Sequence, residues 1–230
     1  MIPKIAWFYW EGGEMSWLRK QSLKTFRRLN PDWDVWVVDD SACKSEALKS
    51  IPHLRGIVLR SDYTRYQLLA EHGGIYFDTD FIFVKPIPEE WLNPDVLMSI
   101  HPTESYCLHI ACLGASPNNR FYSDLSDFAG LCASDGALLA HQSLGIDLMR
   151  KFGPNAGMAA AKRNLSLKSI PFSQLIPVAW DDCLALWSPQ GYRPLPENTV
   201  AVHWFGGDRL SNEFENNIPK GCLVNRLVIP

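Results

Sequence analysis

Short apolar runs of β type alternate with helical stretches along the first 85 residues, and this alternation limits the fold more than any other feature. Ile5 to Trp10 reads as a buried strand closed by Gly12-Gly13. Ser16 to Leu29 carries Leu18, Leu23, Phe26 and Leu29 as a rough apolar stripe, with Pro31 as a stop, and predicts a helix. Val35 to Val38 predicts a second strand and Ile57-Val58-Leu59 a third. Ser61 is placed to cap a helix that Gly73-Gly74 ends. Ile75-Tyr76-Phe77 and Phe81 to Val84 predict two more strands. Such a pattern argues for an α/β fold with a mostly parallel central sheet flanked by helices.

The second half is less regular. Val96 to Ile100 and Ile110 to Leu113 predict strands, and Arg120 to Cys132 and His141 to Phe152 predict helices. Pro-rich turns follow, then a late strand over Val200 to Phe205. No repeat or Gly/Ser linker divides the 230 residues, so a single domain is expected over 1–230.

Composition removes several function classes. Hydrophobic residues make up 47% and charged residues 20%, enough for a packed core, so global disorder is excluded. The net charge of -3 offers no basic field of the kind most nucleic-acid binders carry. Six scattered cysteines without metal-ligand spacing read as reduced thiols, and no apolar run approaches a membrane span, so a soluble cytoplasmic protein is expected. Arg19, Lys20, Lys24, Arg27 and Arg28 share one predicted helix. They read as a solvated face, with peripheral contact to an inner membrane surface as the alternative. The nine tryptophans leave two readings, an aromatic core or a platform for a flat or sugar-like ligand.

The sharpest local feature is Asp78-Thr79-Asp80, directly after an apolar strand. Open α/β sheets place ligands at the carboxyl ends of strands. Two carboxylates one residue apart repel each other unless a cation sits near them. A hard divalent ion, Mn²⁺ or Mg²⁺, suits oxygen ligands that share it with substrate phosphates. Taken alone, the triplet also fits a solvated turn.

The longer string from Ser61 to Asp80 resembles the signature of glycosyltransferase family 32 and the related clostridial glucosylating toxins. Asp62 and Arg65 stand in its helix, Gly73-Gly74 in its turn, and Ile75-Tyr76-Phe77-Asp78-Thr79-Asp80 in its strand. Ile2-Pro3-Lys4-Ile5 with Trp10, then Asn30-Pro31-Asp32-Trp33 and Trp36 with Asp39-Asp40, resemble the opening of that family, and His203-Trp204 its late motif. The match covers the first 90 residues well and the remainder thinly, and it implies a nucleotide-sugar-binding half over 1–90 and an acceptor-side half over 91–230.

The resemblance implies a GT-A type nucleotide-sugar-binding fold and a retaining, metal-dependent transferase. It would move a hexose from a nucleotide-diphosphate sugar, UDP favoured, to a glycan or other hydroxyl acceptor, in surface polysaccharide synthesis. Asp80 would ligate the metal directly, Asp78 through water, and His203 would be a third ligand, its alternative being a half-buried strand histidine. Asp62 and Arg65 would grip the transferred sugar and diphosphate; a surface ion pair is the plain alternative. Trp10 would stack on the base, with Tyr76 and Trp204 also on the donor side. Trp33 and Trp36 read as fold-building residues. Trp180, before Asp181-Asp182, is the candidate to face an acceptor sugar. Two rival classes remain: a non-catalytic glycan or nucleotide-binding module, and a phosphohydrolase of the haloacid-dehalogenase type, which also uses Asp-x-Asp after a strand.

Overall fold

The computed structural model describes residues 1–50, 53–100, 108–134, 144, 148 and 156–228. In chain order the first elements are β1 (Ile5–Tyr9), α1 (Trp17–Leu29), β2 (Asp34–Val38), α2 (Glu46–Lys49) and α3 (His53–Glu71). Then come β3 (Gly74–Phe77), β4 (Phe81–Phe83), β5 (Val96–Ile100), β6 (Leu108–Ala115) and α4 (Arg120–Ser134). The remainder holds α5 (Ala156–Ala161), β7 (Leu167–Pro171), α6 (Phe172–Leu175), α7 (Leu184–Trp187), β8 (Ala201–His203), α8 (Arg209–Phe214) and α9 (Leu223–Val228). The helix expected over His141 to Phe152 falls outside the described residues, Leu144 and Leu148 excepted.

The chain forms two compact units. The first comprises residues 1–12, 33–78 and 88–170. Its six-stranded sheet runs β2-β1-β3-β6-β5-β7. β1 pairs in parallel with β2 and β3, while β6 joins antiparallel to β3 and β5 antiparallel to β6. All four residues of β3 are buried, as its continuous apolar run requires. Gly73 and Gly74, at φ +69° and +94°, lead into it. A Cβ on Gly74 would lie 2.6 Å from the Ile5 carbonyl oxygen, so the double glycine is a packing requirement as well as a turn. Trp7 donates its indole N–H to the Gly73 carbonyl at 2.8 Å and seals the same corner.

The strand expected over Ile57-Val58-Leu59 is instead part of α3, which runs unbroken from His53 to Glu71. Three apolar residues do not distinguish a strand from a buried helix. The longer spacing does: Leu59, Tyr63, Tyr66 and Ala70 recur at helical intervals and all enter the core beside Tyr76, Tyr122 and Leu125. Ser61 is therefore mid-helix and not a cap. Trp33 is buried as expected, but Trp36 is 57% exposed. It sits on β2, an edge of the sheet, where one side of the strand has no neighbouring strand among the described residues.

The second unit comprises residues 13–32, 79–87 and 171–230. Its centre is the antiparallel pair β4 and β8, with Phe81 opposite His203. Ser16 caps α1 through its side chain. Leu18, Leu23 and Phe26 bury the apolar face of this helix. Phe26 meets Phe83 edge-on at 4.9 Å, and the Thr25 hydroxyl accepts the Phe83 N–H at 3.0 Å. The Asn30 side chain receives the Ile87 N–H at 2.8 Å, which ties the end of α1 to the segment after β4. No helix among the described residues is long and apolar enough to cross a membrane. Cys43, Cys112, Cys132, Cys183 and Cys222 are free thiols, and Cys107 falls outside the described residues.

Candidate active site

In the first unit the site grows from α3 and β3. Asp62 and Arg65 stand three apart on one face of α3, and Arg65 Nη2 lies 2.9 Å from the Asp62 carboxylate. The same nitrogen is 3.4 Å from Asp78 at the end of β3. Arg65 also donates to the Ile110 carbonyl at 2.8 Å and to Ser61 Oγ at 3.0 Å. Its guanidinium sits over the Tyr76 ring at 4.4 Å, and the Tyr76 hydroxyl is 2.9 Å from Ser61 Oγ. The fork is thus held by a carboxylate, a carbonyl, a hydroxyl and a ring.

This is no surface ion pair: Asp62 is 2% exposed and Arg65 4%. Burial pushes the Asp62 carboxyl up to about 7; Arg65 opposes the rise and Asp78 adds to it. Burial disfavours the Arg65 cation too, but Tyr76, Asp78 and Asp62 around it outweigh that and hold it charged. Two carboxylates share one cation here. Asp78, with its side chain 31% exposed, is the more open of the two.

Trp10 follows β1, half-buried, with its backbone N–H on the Val38 carbonyl at 2.9 Å. Its neighbours are clamped. Arg60 donates twice to Glu11, at 2.9 and 2.6 Å, and the Tyr9 hydroxyl donates to Glu11 at 2.6 Å. Nothing in the motif spacing signalled this cluster, because Glu11 and Arg60 are 49 residues apart.

In the second unit the site is built on β4 and β8. Asp80 immediately precedes β4, and the register of the pair brings His203 beside it. His203 Nε2 lies 3.1 Å from Asp80 Oδ1. The other oxygen, Oδ2, accepts the Gly206 N–H at 2.6 Å. The His203 ring is wedged between Phe81 at 4.7 Å and Phe205 at 4.5 Å. Burial alone would raise the Asp80 carboxyl. His203, Arg19 and the Gly206 N–H outweigh it and hold Asp80 well below the usual carboxylate range. A buried carboxylate kept ionised beside an imidazole nitrogen is a donor set that suits a divalent ion of the Mn²⁺ class.

Three expectations about individual side chains change. Trp204 is fully buried with its N–H directed at Ser22, so its ring presents no surface to a donor. Tyr76 is 1% exposed and supports Arg65 from below. Arg19, which the sequence places on a basic helix face, is drawn out of that face. It bonds Thr79 at 2.7 Å and the Gly206 carbonyl at 3.2 Å. Lys24, Arg27 and Arg28 do remain exposed. Trp180 is 66% exposed and Asp182 pairs with Arg193 at 3.3 Å.

Residues 18–104 match the glycosyltransferase sugar-binding region containing the DXD motif. An initiation-specific alpha-1,6-mannosyltransferase of Candida albicans is 30% identical over 106 residues, covering 40% of this chain and 27% of that protein. The chain thus matches well under two thirds of that relative's length. Among solved structures, the PaToxG glycosyltransferase superposes with a TM-score of 0.55 at 16% identity, covering 71% of this chain and 74% of that one. The galactosyltransferase LgtC, solved with donor and acceptor sugar analogs, gives 0.51 at 13% identity, covering 93% and 96%. The GT-A type α/β fold expected from the sequence is borne out.

Proposed function

We propose that this chain, which carries the DXD sugar-binding region of the glycosyltransferases on a GT-A type fold, is a metal-dependent retaining glycosyltransferase. It moves a hexose from a nucleotide-diphosphate sugar to a hydroxyl of a glycan acceptor. The observation that carries this reading is the pairing of each DXD carboxylate with its own partner, Asp78 with Arg65 and Asp80 with His203.

Asp78, Asp80 and His203 are the proposed metal ligands; each offers one oxygen or nitrogen donor atom. A divalent ion held there, Mn²⁺ or Mg²⁺, would offset the charge that develops on the leaving diphosphate. Arg65 presents fixed N–H donors to the same anion, and its planar fork suits phosphate oxygens. Asp62, enclosed beneath the surface, orients Arg65; the family resemblance is what suggests a sugar hydroxyl as its further partner. Trp10, whose chain neighbour Glu11 is held by Arg60 and Tyr9, stacks on the base. Retention is the outcome the family resemblance implies, and the motif, whose carboxylates are assigned to the sugar and the metal, fits a site with no dedicated base. UDP is the favoured carrier, and the mannosyltransferase relative adds mannose to the sugars worth testing. Surface polysaccharide synthesis is the proposed setting, with the whole of 1–230 as one catalytic domain and exposed Trp180 on the acceptor side.

The test is a thermal-shift screen of nucleotide sugars with and without Mn²⁺. The matching donor is expected to raise the melting point only with metal present, and no response to any donor would sink the reading. Asp80→Asn then separates enzyme from binding module: turnover of the matching donor should vanish, whereas a module would keep its ligand.

A further inference from the structure

We propose that Arg19 of α1 is a positioning residue that pins the two turns aiming Asp80 and His203, and so sets the metal affinity of the site. This rests on the metal-dependent reading above. The orientation of Asp80 depends on two stretches of backbone. One is Thr79, which precedes it. The other is the turn Phe205-Gly206 after β8, whose N–H holds Asp80 Oδ2 at 2.6 Å. Arg19 grips both at once. Nη1 donates to Thr79 Oγ1 at 2.7 Å and Nη2 donates to the Gly206 carbonyl at 3.2 Å. The Gly206 peptide is therefore clamped from both ends, its N–H by Asp80 and its C=O by Arg19.

The fork is itself immobilised. Its guanidinium carbon stands 5.0 Å from the centre of the Trp204 ring. That ring directs its N–H at Ser22, one turn along the helix that carries Arg19, at 3.3 Å. Glu215 lies 3.5 Å from Arg19 Nε and balances the enclosed cation. Fit is close: a Cβ on Gly206 would fall 2.4 Å from Arg19 Nη2 and 3.0 Å from the Trp204 ring. Phe205 is held at φ 54°, a conformation a non-glycine residue keeps only when its surroundings enforce it. Only a planar donor with two divergent N–H groups spans both acceptors; a lysine ammonium would satisfy one.

The experiment measures Mn²⁺ affinity, alone and with UDP, from the EPR signal of free Mn²⁺, for the unmodified protein, Asp80→Asn, Arg19→Gln, Arg19→Lys and Gly206→Ala. Arg19→Gln should weaken Mn²⁺ binding roughly 10–100-fold, as loss of a residue behind a metal ligand does. Guanidinium ion added to Arg19→Gln should restore part of the loss, whereas ammonium should not. Arg19→Lys should stay impaired, and Gly206→Ala should reproduce the loss from the other side of the contact. Should Arg19→Gln fail to fold, Arg19→Lys and Gly206→Ala carry the test. Mn²⁺ binding within twofold of the unmodified protein in folded Arg19 or Gly206 variants would overturn the proposal, provided Asp80→Asn abolishes binding. Mn²⁺ binding that Asp80→Asn leaves unchanged would instead overturn the metal-site reading beneath it.

Discussion

Asp78 and Asp80 carry the same charge two residues apart, yet each has a different environment. Asp80 is 6% exposed and spends one oxygen on a backbone N–H. Asp78 is partly open and 3.4 Å from a buried arginine. Substituting either removes a proposed ligand, but Asp80 should matter more, because its geometry is the more constrained. Asp80→Asn is expected to lower kcat by at least roughly 10²-fold in a donor-hydrolysis assay, the scale of losing one preorganised electrostatic partner. Trp10→Ala is expected to raise KM for the donor about tenfold with a smaller change in kcat, as stacking contributes ~1–3 kcal/mol. Steady-state kinetics in donor concentration would check the split. Asp78, Asp80 and Arg65 were legible because the motif is local: a strand, its end and the helix before it lie within twenty residues. Arg19 was not. Its carbonyl partner lies 187 residues further on, and no spacing rule links them.

Among the elements, α3 shows why a pattern of three residues misleads. Ile57 to Leu59 satisfies the strand template, but burial of Leu59, Tyr63, Tyr66 and Ala70 along one face decides for the helix. The consequence is functional, since an uninterrupted helix is what fixes Asp62 and Arg65 rigidly. The Gly73-Gly74 corner makes a sharper prediction. Gly74→Ala places a Cβ against the Ile5 carbonyl at positive φ, and is expected to cost about 2–4 kcal/mol in chemical denaturation. A second prediction concerns the strand ends. Asp95 accepts the Ser166 N–H at 2.9 Å and the Ser166 hydroxyl at 2.8 Å just ahead of β7. The Ser166 N–H, then its hydroxyl, hold the Asp95 carboxyl below its usual value. A depressed carboxyl stabilises the fold above its unfolded value, near 3.9, and loses that contribution as pH falls through the folded one. Asp95→Asn should therefore cost about 1 kcal/mol or less at pH 7 and almost nothing near pH 2, measured by urea unfolding at both.

For the whole molecule, donor binding and stability are linked. A nucleotide sugar supplied with Mn²⁺ at 100 times its dissociation constant should stabilise the native state by about 2.7 kcal/mol, seen as a rise in Tm that EDTA abolishes. Most of the order of elements and the carboxylate-bearing strand end were determined by the sequence itself, because strand and helix periods, glycine turns and a covalently local Asp-Thr-Asp are properties of neighbouring residues. Which tryptophans face inward was decided by tertiary structure: Trp204 is enclosed while Trp36 lies on an edge strand, though both stand in largely apolar stretches. So were the antiparallel entry of β6, the Glu11–Arg60 clamp and the Arg19 fork. Each depends on segments far apart in the chain being packed together, and the free energy of that packing is shared among many side chains without leaving a period or spacing in any one of them.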